Sequence, residues 1–180
     1  DGLTPAGLHV YDGHQHQLER DDRRAAINAE WEKVVAFRDG LVAEGWPVGK
    51  IVCGGTGSFP VYAEKDDPTI QMSPGTCVYN DIGYSEHFPD MVFPPATLML
   101  TRVVSRPTDD RVTLDLGYKA VASDPPAGKR TVFPDLPDAE QVLQNEEHLV
   151  LQTSRAGEFE PGDELFAVPR HICPTSALHK

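Results

Sequence analysis

The sequence is poor in basic residues and has no long apolar run. It holds sixteen Lys and Arg but twenty-eight Asp and Glu, a formal net charge of −12 over 180 residues. Because such a surface repels phosphate backbones and anionic lipid headgroups, we expect neither nucleic acid nor a membrane surface as a partner. Apolar runs such as 96–100 fall far short of the roughly 20 residues of a membrane-spanning helix, so the sequence predicts a soluble protein.

Cysteine is also scarce. Cys53, Cys77 and Cys173 are an odd number and widely spaced, unlike the dense, even framework of a small secreted domain. The sequence therefore favours a reducing, cytoplasmic setting. With 39% hydrophobic and 24% charged residues, the composition is that of an ordinary folded domain and excludes a disordered or collagen-like chain.

The first third of the chain has the pattern of a strand, a helix and a second strand. Leu8–Tyr11 and Lys50–Cys53 are short apolar runs typical of buried strands. Between them, apolar residues recur at helical spacing, with Asp21–Asp22 as N-cap candidates and Gly45 as the C-terminal glycine. The second strand leads directly into Gly54–Ser58. This order predicts a parallel sheet within a doubly wound or barrel α/β domain.

From Val92 onward the pattern changes to short β-rich runs separated by Pro, Gly and Asp clusters. Such runs predict a mostly antiparallel β domain. The predicted strands are Ala96–Val104, Arg111–Leu116, Lys119–Ala122, His148–Thr153 and Glu164–Val168. The proline-containing stretch Asp124–Asp138 is expected to cross the surface as a loop.

The glycine-rich segment Gly54–Ser58 is a candidate phosphate-binding loop. Glycines after a parallel strand let backbone N–H groups approach an anion, and the Thr and Ser hydroxyls can add hydrogen bonds. The segment matches neither GxGxxG nor GxxxxGK[ST], which argues against a dinucleotide or a nucleoside triphosphate. A tight turn would explain the glycines about as well. The position at the carboxyl end of a strand favours the functional interpretation.

The segment His171-Ile172-Cys173 is a candidate metal site. If it lies on or beside a strand, period-two alternation directs His171 and Cys173 to the same side, where an imidazole and a thiolate can share one ion. Two protein ligands leave coordination positions for water or substrate, and the thiolate favours zinc over magnesium. The alternative is a buried Cys beside a hydrogen-bonded His.

Three histidines lie close together near the N-terminus. His9, His14 and His16 flank the turn that follows the first predicted strand. A histidine at the end of such a strand can act as a general acid or base or contact a cofactor. A polar loop before a solvated helix can equally hold these histidines without a catalytic role.

The motifs together resemble one enzyme family. YDGH (11–14), GGTGS (54–58), SPGTCVYND (73–81), LDLGYKA (114–120), NEEH (145–148) and PRHICPT (169–175) occur in this order. The set resembles the D-threonine aldolase and D-serine dehydratase family of pyridoxal-phosphate enzymes, over residues 8–180. The resemblance implies an alanine-racemase-like fold: the C-terminal part of a (β/α)8 barrel in residues 1–90 and a mostly antiparallel β domain in residues 91–180.

The resemblance also implies roles for the candidate residues. Gly54, Gly55, Thr56 and Gly57 match the loop that holds the cofactor phosphate. His9 and His16 fall where family members place side chains near the cofactor, and His14 is the candidate acid or base. His171 and Cys173 match the metal pair, for which zinc or manganese is expected.

The implied activity is that of a pyridoxal-phosphate- and metal-dependent lyase acting on β-hydroxy D-amino acids. An aldolase would cleave the Cα–Cβ bond to give glycine and an aldehyde, and a dehydratase would release water and then ammonia. A metal that acts as a Lewis acid on the hydroxyl suits both reactions. Racemisation is disfavoured because transfer of the Cα proton alone requires no such ion.

One residue departs from the family pattern. The cofactor lysine of the family lies in an early barrel strand, and no lysine here has that context; Lys119 belongs to the predicted β domain. We therefore expect a C-terminal fragment, an N-terminal segment that completes the barrel, and a homodimer. The alternative function, if the chain is complete, is a non-catalytic metal- or ligand-binding module.

Overall fold

The computed structural model describes residues 2–179, which divide into two compact units. The first contains the residues up to Cys77 together with His87–Val92, and the second contains Val78–Glu86 together with the residues from Phe93 onward. The domain boundary after residue 90 stays a prediction. Within the described residues, none of the helices combines the length and apolar character needed to cross a membrane.

The first unit contains a three-stranded parallel sheet. Strand β1 (Gly7–Val10) pairs in parallel with β2 (Lys50–Cys53), and β2 pairs in parallel with β3 (Ile70–Met72). Helix α1 (Arg20–Ala43) connects β1 to β2, and the short helix α2 (Phe59–Tyr62) follows the glycine loop. The predicted strand–helix–strand unit is confirmed. The third strand was not predicted from the sequence.

Helix α1 has the ends and the buried face that its sequence dictates. Its N-cap is Glu19, so Asp21–Asp22 lie in the first turn, where negative charge is favoured by the helix dipole, and not at the cap as predicted. Gly45, with φ of +87°, follows the last turn as predicted. Ile27 and Trp31 are buried. They belong to a core whose buried residues are Ile27, Trp31, Ile51, Cys53, Val61 and Tyr62.

The second unit is built on a six-stranded sheet in the order β6-β9-β4-β5-β8-β7, and all its pairings are antiparallel. The predicted antiparallel β domain is therefore confirmed. The strands are β4 (Met99–Thr108), β5 (Arg111–Leu114), β6 (Thr131–Val132), β7 (Glu140–Gln144), β8 (Leu149–Gln152) and β9 (Glu164–Pro169). Further helices are α3 (Ile82–His87) and α4 (Ile172–Ala177), and 3₁₀ turns occur at Thr76–Val78 and Ala156–Glu158.

The predicted strand Lys119–Ala122 is wrong, because these residues form a turn. The backbone N–H groups of Tyr118 and Lys119 donate to the carbonyl oxygens of Asn145 and Glu146 at 2.9 and 3.1 Å. Asn145 and Glu146 lie in a loop, so these hydrogen bonds do not form the ladder between two strands that a β-strand requires. Val121 and Ala122, the last two residues of this run, are nevertheless buried.

Asp67 stabilises the loop that enters β3. Its carboxylate accepts hydrogen bonds from the Thr69 hydroxyl at 2.6 Å and from the Thr69 N–H at 2.9 Å, and it pairs with Arg38 at 2.8 Å. These contacts hold the pKa of Asp67 below its ordinary value, and the hydrogen bond from the Thr69 hydroxyl contributes most. Because the pKa of Asp67 is lower in the folded than in the unfolded protein, its carboxylate stabilises the fold fully at pH values above the unfolded-state pKa. This stabilisation is lost as the pH falls through the folded-state pKa.

We expect Asp67→Asn to lower the free energy of unfolding by about 1 kcal/mol at neutral pH, since the charged acceptor is lost at a partly solvated site. The difference from wild type should shrink as the pH falls below about 4. Denaturant unfolding over a pH series measures both effects. The neighbouring exposed carboxylate provides the control Asp66→Asn, and an equal pH response in both variants would contradict the assignment.

Candidate functional site

The glycine loop begins where β2 ends. Gly54 has φ of +76°, a conformation that side chains with a Cβ rarely adopt. The N–H of Gly54 donates to the Val10 carbonyl at 3.3 Å, and the N–H of Gly55 donates to the Ser58 hydroxyl at 3.0 Å. Within residues 2–179, the N–H groups of Thr56 and Gly57 have no acceptor. These two adjacent donors are the groups that the loop can offer to an anion.

A buried carboxylate organises this loop. Asp12 is 4% exposed and accepts a hydrogen bond from the Ser58 hydroxyl at 2.8 Å. Since Ser58 has a single hydroxyl proton and uses it on Asp12, its role is to hold the loop and not, as expected from the sequence, to bind an anion. Burial is the main cause of a raised pKa at the Tyr62 phenol, and the negative charge of Asp12 raises this pKa further. The Thr56 hydroxyl accepts the Cys77 N–H at 3.1 Å.

An aromatic ring closes one side of the loop. A Cβ added to Gly57 would lie 2.4 Å from the Phe88 ring, which leaves no room for any other residue. The Phe88 ring lies 4.9 Å from the guanidinium of Arg23. Arg23 is buried and pairs with Asp90 at 2.5 Å, so its charge is compensated. The loop is thus backed by a packed ring that contacts the buried guanidinium of Arg23.

The three N-terminal histidines do not share one environment. His9 lies on β1 with its side chain exposed. His14 is exposed, and its Nε2 lies 2.7 Å from Oε1 of Glu30. This hydrogen bond is the main cause of a lowered pKa at Glu30. The His16 ring lies 5.6 Å from the ring of His87. Of the three, His14 alone has the carboxylate partner that would support a proton-transfer role.

The predicted metal pair lies where β9 ends and α4 begins. His171 is the N-cap of α4 with extended backbone angles, φ −134° and ψ 101°, and Cys173 is an exposed cysteine in the first turn. The pair lies beside a strand as expected, but Cys173 is helical, so strand alternation does not describe its direction. Among the described residues, no group of three or more His, Cys, Asp and Glu side chains is arranged to hold a metal ion.

His171 has a carboxylate partner that the sequence did not indicate. Its Nδ1 lies 2.5 Å from Oδ2 of Asp124, with both side chains partly exposed. A histidine that binds a metal through one nitrogen commonly donates its other N–H to a carboxylate. The contact therefore leaves Nε2 of His171 for an ion. The chemistry of this donor set, an imidazole nitrogen and a thiol, fits zinc or a similar divalent metal.

Sequence reasoning missed Asp12, Asp124 and Phe88. Asp12 stands inside the motif YDGH and could have been noted as a polar residue directly after a buried strand. Asp124 and Phe88 carry no local signal, because their partners are 47 residues and more than 30 residues away along the chain.

Comparison with known proteins shows what the chain resembles. Residues 96–180 match the family model described as a putative serine dehydratase domain. The chain is 29% identical over 181 residues to the D-threonine aldolase of Arthrobacter sp., covering 99% of this chain. The chain resembles the D-threonine aldolase and D-serine dehydratase family. The resemblance drawn from its motifs is confirmed.

Solved structures agree with this similarity. The D-threonine aldolase from Filomicrobium marinum matches with a TM-score of 0.85 at 26% identity, over 99% of this chain and 48% of that one. An alanine-racemase-like protein from Idiomarina loihiensis matches with a TM-score of 0.75 at 19% identity, over 97% and 51%. The fold is thus alanine-racemase-like.

A dehydratase belongs to the same set of structures. A cysteine-to-alanine mutant of D-threo-3-hydroxyaspartate dehydratase in a metal-free form matches with a TM-score of 0.73 at 20% identity, over 99% of this chain and 52% of that one. The chain spans about half the length of the relatives that it matches: 47% of the Arthrobacter enzyme.

We expect Gly57→Ala to lower the free energy of unfolding by about 1–3 kcal/mol, because the added methyl group collides with the buried Phe88 ring. Gly75→Ala is the matched control, since no atom lies within 4 Å of its added Cβ. Denaturant titration of both variants measures the difference. Equal stability of the two variants would show that the ring does not constrain the loop.

Proposed function

We propose that the protein is a pyridoxal-phosphate- and divalent-metal-dependent lyase that acts on β-hydroxy D-amino acids, with D-threonine aldolase-like chemistry. The observation that carries the proposal is the contact of His171 with Asp124, two residues before the exposed Cys173, within the segment that matches a serine dehydratase domain. When bound, pyridoxal phosphate supplies an electron sink for a bond broken at Cα, and the metal supplies a Lewis acid for the substrate hydroxyl.

The glycine loop would hold the cofactor phosphate. Its donors would be the N–H groups of Thr56 and Gly57, while the N–H groups of Gly54 and Gly55 maintain the turn through Val10 and Ser58. Two adjacent N–H groups at the carboxyl end of a parallel strand form the concave donor arrangement that phosphate groups favour. The exposed rings of His9 and His16 remain proposed cofactor contacts.

His171 and Cys173 would hold the metal, through Nε2 and Sγ. The Asp124 contact occupies Nδ1 and so leaves the imidazole with one nitrogen for the ion. A thiolate ligand favours zinc, and manganese stays the second candidate. With two protein ligands, the remaining coordination positions would be taken by water or substrate, as in catalytic metal sites.

His14 is the proposed acid or base. A catalytic imidazole has to accept a proton and release it again, and an adjacent carboxylate stabilises the protonated form. Glu30 fills this role at 2.7 Å from Nε2, and its lowered pKa keeps it ionised at neutral pH. In retro-aldol cleavage His14 would take the proton of the substrate hydroxyl.

A dehydratase is the second candidate, favoured by the serine dehydratase match in residues 96–180. In that reaction the hydroxyl leaves as water, so His14 would donate a proton where the aldolase accepts one. We further propose that the parallel sheet is part of a (β/α)8 barrel, and that the protein is a cytoplasmic homodimer that binds neither nucleic acid nor membranes.

The full-length protein, reconstituted with pyridoxal phosphate and zinc or manganese, tests the proposal. We expect glycine and acetaldehyde from D-threonine; ammonia and a 2-oxo acid from D-serine would indicate the dehydratase instead. Absence of both reactions would overturn the lyase and favour a binding module.

His171→Ala and Cys173→Ala should each lower kcat/KM by about 100-fold or more, because a metal contributes several kcal/mol to the stabilisation of the transition state. The exposed His148 provides the control His148→Ala, which should leave the rate unchanged. Retention of activity in the two metal-pair variants would contradict the metal assignment while leaving the lyase intact.

A further inference from the structure

We propose that Asp124 is a positioning residue, which fixes the ring orientation and tautomer of His171 for metal binding. This inference rests on the metal site proposed above. The carboxylate accepts the Nδ1–H of His171 and thereby directs the lone pair of Nε2 toward the ion. The Asp124 Oδ2 to His171 Nδ1 distance of 2.5 Å is within hydrogen-bonding range.

Asp124 is itself held in place by Arg130. The guanidinium of Arg130 donates to the carbonyl oxygens of Ser123 at 3.1 Å and Pro125 at 3.2 Å, the two residues that flank Asp124. A third donor of the same group binds Oε1 of Gln144 on β7 at 2.9 Å. The planar guanidinium therefore holds the carbonyl groups of both neighbours of Asp124 and joins them to the sheet.

The backbone of His171 is anchored to the same loop. The Thr175 hydroxyl is buried, donates to the His171 carbonyl at 2.7 Å and accepts the Ala122 N–H at 3.0 Å. The Arg170 N–H donates to the Arg130 carbonyl at 2.8 Å. These bonds connect residues 170–175 with residues 122–130 on both sides of the Asp124–His171 contact. The distance between the two side chains is thus set by the fold.

A buried carboxylate fixes the other side of His171. Asp81 has no exposed surface and accepts the Ile172 N–H at 2.8 Å through one oxygen and the Tyr84 N–H at 2.8 Å through the other. The peptide between His171 and Ile172 therefore has one orientation. The backbone fixes the direction of the Cα–Cβ bond of His171, and the contact with Asp124 restrains the rotation of the ring about the side-chain bonds.

Stability alone does not account for this arrangement. The His171 and Asp124 side chains are 37% and 54% exposed, and an exposed ion pair is worth roughly 0–1 kcal/mol. Yet the two residues are held by Arg130, Thr175 and Asp81, all through backbone groups beside the pair. A contact of little energetic value that is so strongly constrained is explained by the orientation of the imidazole.

The test compares Asp124→Asn and Asp124→Ala with wild type in the metal-stripped, full-length protein. Zinc affinity, measured by competition with a chromophoric chelator, should fall by about 10–100-fold in Asp124→Ala. Asp124→Asn keeps a neutral hydrogen-bond acceptor, so its zinc affinity should fall less than that of Asp124→Ala. Asp109→Asn, which removes the same charge from an exposed turn of the same unit, is the control and should bind zinc as wild type does.

A second readout does not require the metal. In wild type, long-range ¹⁵N correlation spectra of the apo protein should show His171 as the Nδ1–H tautomer at a pH where the ring is neutral. In Asp124→Ala the spectra should show a mixture with the Nε2–H tautomer. Circular dichroism shows whether each variant folds. If Asp124→Ala does not fold, Asp124→Asn is compared with wild type instead.

The outcomes separate the two proposals. Wild-type zinc affinity and an unchanged tautomer in the Asp124 variants would overturn the positioning role and leave the metal site standing. Failure of wild-type protein to bind zinc or manganese would overturn both. Weakened binding in the Asp124 variants, with the Asp109→Asn control unaffected, supports the inference.

Discussion

The geometry at the end of β9 depends on a few hydrogen bonds made by side chains far away in the sequence. Helix α4 has six residues, which is too short to be stable alone. Its first N–H group, on Ile172, is satisfied by Asp81, 91 residues earlier, and its N-cap carbonyl by Thr175. Without these bonds the ladder that ends at Pro169 would lead into an unsupported turn. The position of His171 and Cys173 is therefore a property of the whole second unit.

The glycine loop follows the same principle with different chemistry. Its turn is maintained by Ser58, whose hydroxyl accepts the Gly55 N–H and donates to the buried Asp12. A hydroxyl used in both directions cannot also bind an anion. The donors available to a phosphate are therefore those of Thr56 and Gly57, and the Phe88 ring prevents any side chain at position 57. Five small residues that look equivalent in the sequence therefore differ in the structure: Gly54, Gly55 and Ser58 maintain the turn, and the N–H groups of Thr56 and Gly57 are left for an anion.

The sequence predicted the elements whose signals are local. The β1–α1–β2 unit was found because helical periodicity, Gly45 and two apolar runs each point to the same answer. The antiparallel domain was found from its alternating runs. Strands β6 and β7 were not predicted. Strand β6 has only two residues and forms through its pairing with β9, and the polar, exposed strand β7 forms through its pairing with β8. The strand predicted at 119–122 is wrong for the converse reason: its residues are apolar enough for a strand, but within residues 2–179 no partner strand pairs with them.

The candidate site was predictable in composition but not in geometry. His171 and Cys173 were proposed from spacing under a strand period, whereas the structure places one in extended backbone and the other in a helical turn. In a chain with twenty-eight Asp and Glu, no local rule indicates which carboxylate pairs with a given histidine. That choice follows from tertiary structure. Arg130 binds the carbonyl groups of both neighbours of Asp124, and the N–H of Arg170, one residue before His171, binds the Arg130 carbonyl. The partner of a candidate ligand is thus set by loop anchoring, which only the folded chain defines.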